Sequence, residues 1–136
     1  MSQRVDQFCE GLHERLNTIE GRIESVKTSL HELPAKAEKV VREKLDQART
    51  KIQAEKERVE KARVDLKTRA DQKIAETKEA INEWKAKREV RKLNARAERA
   101  EAYADAAMFL AVASIDEAEE AVLEAVAARN DADAAQ

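Results

Sequence analysis

Proline occurs once in this 136-residue chain, at Pro34, glycine twice, at Gly11 and Gly21, and cysteine once, at Cys9. Tight turns are built on Gly and Pro, so a chain this poor in both has few of them. A lone cysteine excludes an intrachain disulfide. Aromatic residues make up 3% of the chain and no alternating run of β-branched and aromatic residues occurs, which excludes a sheet. Long apolar runs are missing as well. The longest uncharged stretch, residues 106–115, would cover roughly 15 Å as a helix, half of a bilayer's hydrocarbon core. The N-terminus has no apolar segment of signal-peptide length. These absences predict a cytoplasmic location.

What the chain has is charge and helix formers. Charged residues account for 40% of it, with a formal net charge of −2. Ala, Glu, Lys, Arg and Leu dominate, a composition that reads as all-α, with long helix or coiled coil. The near balance of charge argues against a nucleic-acid partner, which would call for a basic chain. The mixed signs and periodic apolar residues argue against disorder.

Residues 1–33 carry two interlaced rows. Val5, Leu12, Ile19, Val26 and Leu33 recur every seven residues, as do Cys9, Leu16, Ile23 and Leu30, offset by four. This is the heptad pattern of a coiled-coil helix, an apolar stripe with polar flanks. Pro34 disfavours helical geometry at Leu33 and suits the first turn of a new helix, so residues 34–35 are expected to reverse the chain. Beyond them Val41, Leu45, Ala48, Ile52, Val59, Ala62 and Leu66 resume the grid, with Glu55 as the polar intruder. An antiparallel hairpin follows, pairing residues 1–33 with about 36–66 and setting Val26 near Val41, Ile23 near Leu45, Leu16 near Ile52 and Cys9 near Val59.

No Gly or Pro occurs after residue 34. The expectation is therefore one very long helix, residues 36–92 charged and 93–130 Ala-rich, about 140 Å in length, ending in a frayed tail at 131–136. The best candidate for a hidden break is the capping-box pattern from Ser114 to Glu117. A compact three-helix bundle with a hidden turn is the alternative.

Residues 93–128 place small side chains on a heptad grid, with Leu93, Ala100 and Ala107 in one row and Ala97, Ala104, Ala111 and Ala118 in the other. Met108, Val112, Ile115 and Val122 run beside them. From 102 to 115 a helix would be apolar nearly all round, and such a helix is buried on more than one side. A charge-rich chain offers little cover, so a second copy is expected to supply it. Residues 85–99 hold seven bases and two acids, and residues 116–136 hold seven acids and one base. Two copies placed antiparallel about Ala107 would oppose these segments, with Arg99 facing Asp116 and Lys92 facing Leu123 and Glu124.

Chemistry finds little purchase. His13 and His31 each open an HE pair that lacks the second histidine of a zinc-protease helix. Cys9 and His13 could form half a metal site, but Cys9 lies on the apolar seam. No Gly-rich phosphate loop occurs. No catalytic, cofactor-binding or metal residue is assigned, and an enzyme is not expected. The basic stretch with Trp84, residues 83–99, leaves a nucleic-acid-associated helical protein as a further alternative.

The composition is similar to that of granule-coating phasins and apolipoprotein-type helices. That likeness implies an amphipathic coat on a lipid or storage-granule surface, the principal alternative reading. The leading expectation is a non-enzymatic scaffold or adaptor with an N-terminal helical hairpin. It would self-assemble as an antiparallel homodimer or tetramer through the Ala-rich segment, with a further, unidentified protein partner.

Overall fold

The computed structural model describes residues 3–136 and is all-α, with no strand among them. Helix α1 spans Gln3–Glu32, α2 Glu38–Ala75, α3 Lys78–Ala86 and α4 Val90–Ala134, with a 3₁₀ turn at Leu33–Ala35 between the first two. The turn falls where Pro34 places it. Pro34 occupies the start of the 3₁₀ segment, where its missing N–H costs nothing. The Lys36 N–H closes the turn on the Leu33 carbonyl at 3.0 Å, and Ala37 is extended before α2 begins.

The single very long helix expected after residue 35 is replaced by three helices. The first break is at Glu76 and Thr77. Thr77 is extended and its hydroxyl accepts the Ala80 N–H at 3.1 Å, capping α3. The second break is a Schellman turn without glycine. Arg88 takes φ 54°, the Glu89 N–H reaches the Trp84 carbonyl at 2.9 Å, and the Arg88 N–H reaches that of Lys85 at 3.2 Å. The Ser114 to Glu117 pattern, by contrast, lies inside continuous helix, and α4 runs through to Ala134 where a frayed tail was expected.

These breaks turn α4 back along the molecule. It lies antiparallel to α2, with ion pairs stepping from Arg42–Asp131 to Arg63–Glu117. It lies parallel to α1, as Arg15–Asp105 and Arg22–Asp116 show. The α2–α4 packing is the most extensive in the molecule, whereas α1 and α2 hardly touch. α4 therefore occupies the place beside α2 that the heptad grids assign to α1. Leu33, Val41 and Leu45 close a core with Leu123 and Ala127 from α4. Leu123 and Val41 are the most completely buried side chains.

The core is slender. The protein exposes 10012 Å², where a compact monomer of 15.3 kDa would expose about 7,100 Å². Three helices side by side with little contact between the outer two account for the excess.

Candidate assembly surface

The two rows of α1 separate in the structure. Leu12, Ile19 and Val26 are half-buried and Leu33 is buried, so this row faces the bundle. Cys9, Leu16, Ile23 and Leu30 are all exposed, as is Val5. Leu16, Ile23 and Leu30 keep 44–46% of their surface. At the closed end of the molecule Leu30 shares a crevice with Val26 and Leu33, and with Val122 and Leu123 of α4. The remaining seam residues divide by depth. Val41, Leu45 and Val59 are buried, and Ala48 and Ile52 half-buried, all turned to α4 and the space beside it.

On α4, Leu93, Ala104, Ala107, Met108, Ala111, Val112, Ile115 and Val122 are half-buried, while Ala97, Ala100 and Ala118 are exposed. The residues from 102 to 115 thus get partial cover, and it comes from the same chain. The Arg58 guanidinium stacks on Phe109, 4.8 Å from its centroid, and the Lys73 ammonium on Tyr103 at 4.5 Å. Long basic side chains carry apolar stems, and a charged helix can shelter aromatic rings with them.

Charge is matched within the chain as well. Arg42, Arg49 and Arg63 of α2 meet Asp131, Glu120 and Glu117 of α4. Arg99 is held by Glu76 and not by Asp116. Asp116 joins all three long helices, contacting Arg22 from α1 and Lys51 from α2, the latter at 3.4 Å. Burial, with the Arg22 charge next, holds the Lys51 ammonium below its ordinary value. The acidic end of α4 is therefore neutralised by α2. The sequence signal for this was present: Arg42, Arg49, Lys56 and Arg63 recur every seven residues, each just after a grid position.

A second charged cluster fixes the α2–α3 break. Glu76 lies between Arg69 and Arg99, and the side chains of Glu76 and Arg69 are 6% and 7% exposed. Arg99 Nε donates to Glu76 Oε1 at 3.1 Å. Arg69 Nη1 lies 2.7 Å from Glu76 Oε2 without the alignment of a hydrogen bond. Burial pushes the Glu76 carboxyl up, and the contacts with Arg99 and Arg69 more than offset this, leaving it below its ordinary value.

Between α1 and α2, α4 forms the floor of an open trough. One part is a cavity of about 150 Å³ lined by Ile52, Val59, Phe109, Val112 and Ala113 beneath Arg22, Lys51 and Asp116. The other is a groove of about 610 Å³ between Arg15 and Thr18 on one side and Arg58 and Lys61 on the other. Cys9 and His13 are exposed on α1, and among the described residues no three His, Cys, Asp or Glu side chains converge as metal ligands. Among the same residues, no helix is long and apolar enough to cross a membrane. Comparison with protein-family models, with curated proteins and with solved structures gives no match.

Proposed function

We propose that the protein is a non-enzymatic helical scaffold or adaptor that associates with a second copy of itself. The observation that supports this most directly is the exposed row Cys9, Leu16, Ile23 and Leu30. Scattered exposed apolar residues are ordinary on any protein surface. Four at strict heptad spacing along a helix of 30 residues are the pattern of a coiled-coil contact. The excess accessible surface points the same way. The small side chains of α4 that stay exposed, Ala97, Ala100 and Ala118, let a neighbouring helix approach closely.

An antiparallel arrangement suits the flanking charges of α1. It would bring Glu10 of one copy beside Lys27 and His31 of the other. A parallel one would set Glu10 and Glu24 beside their own copies. Glu20 stays near the two-fold axis, where one like-charge contact remains.

Light scattering on the Leu16→Glu, Ile23→Glu double variant tests this. Both positions are exposed, so the helices should persist while the mass falls to that of one chain. A variant that keeps the wild-type oligomeric mass would overturn the assignment of the row.

A further inference from the structure

The end of the molecule built by α3 and the first turns of α4 is basic. Lys85, Lys87, Arg88, Arg91 and Lys92 stand against one acid, Glu89, within residues 85–92, and all five bases are exposed. Lys87 pairs with Glu83 at 2.8 Å and Lys92 with Glu89 at 3.4 Å. Lys85, Arg88 and Arg91 form no ion pair among the described residues. The acidic stretch of α4 that could have neutralised them is taken up by α2. The same end carries the two most exposed large apolar side chains among the described residues, Ile74 at 77% and Val90 at 60%. Ile74 lies in the last turn of α2 and Val90 opens α4. Trp84, half-exposed, lies on α3 between them.

We propose that this end docks on an anionic lipid surface. The unpaired bases would meet the headgroups, with Val90, Ile74 and the Trp84 ring at the boundary with the acyl chains. Clustered Lys and Arg draw a protein to an anionic leaflet, and Trp favours the headgroup level. The aliphatic residues select lipid over nucleic acid, because exposed Ile and Val gain from an acyl environment and nothing from a phosphate backbone. The surface is separate from the α1 row, so docking and self-association can be lost independently.

The test uses the full chain with phosphatidylcholine vesicles, with and without phosphatidylserine. Binding is read by co-sedimentation and by the emission of Trp84, the single tryptophan. The expected result is binding to the anionic vesicles only, with a blue shift of Trp84. Lys85→Glu with Arg91→Glu, which spares the left-handed turn at Arg88, should weaken binding by about tenfold or more. Ile74→Ser with Val90→Ser should weaken the binding that survives in high salt, where the electrostatic attraction is screened. Circular dichroism on both variants checks that the helices persist. Failure to bind anionic vesicles, or equal binding to neutral ones, would overturn the proposal. So would tighter binding to duplex nucleic acid that ignores the Ile74 and Val90 substitutions.

Discussion

Glu76 holds two arginines at a point where the backbone leaves helical geometry. Replacing it with Gln removes the counter-charge that Arg69, 6% exposed, has among the described residues. Breaking a buried pair from one side costs about 3–5 kcal/mol, and chemical denaturation of Glu76→Gln should show a loss of that order. The pH dependence follows from the same contacts. The folded carboxyl lies below its ordinary value, so its stabilising contribution is whole above about pH 4.3 and is lost as pH falls through the folded value. Thermal melts of the native protein should fall off on the acid side of that point, and the Gln variant should lack this component. Identical acid limbs would contradict the role given to Glu76. Arg88 is the other residue under constraint. A non-glycine residue in the left-handed region costs about 1–2 kcal/mol, so Arg88→Gly should raise stability by about 1 kcal/mol.

At the scale of helices, what packs against what decides the effect of a substitution. Leu123 is 2% exposed within the core that joins α4 to α2. Leu123→Ala should cost about 2–5 kcal/mol in urea unfolding. Leu16→Ala, at a position 46% exposed, should leave the stability of the folded chain within about 0.5 kcal/mol and weaken the proposed self-association.

The reversal at Pro34, the apolar rows and the helical class are written in residue type and spacing. The breaks at Thr77 and Arg88 are not marked by Gly or Pro. Thr77 was readable as a helix cap followed by Glu79, whereas Arg88 gives no local sign of a left-handed turn. A helix continued through both positions would carry its acidic end away from Arg42, Arg49 and Arg63, which in the folded chain are aligned to receive it. The seam residues of α2 were recognisable as core. Their partner was α4, because a heptad grid records that a helix is covered but not by which helix.

As a whole the molecule is a folded-back chain whose α1 keeps one apolar row exposed. The charge balance inside the three-helix layer lets a chain with so many ionic residues close a small core. The width of the layer leaves surface that a second copy can cover. Small-angle scattering on the unmodified protein tests both parts together. The expected result is a particle of at least twice 15.3 kDa whose longest dimension stays well below the roughly 140 Å of an unbroken helix. A particle of single-chain mass at every concentration, or one as long as the unbroken helix, would contradict the account.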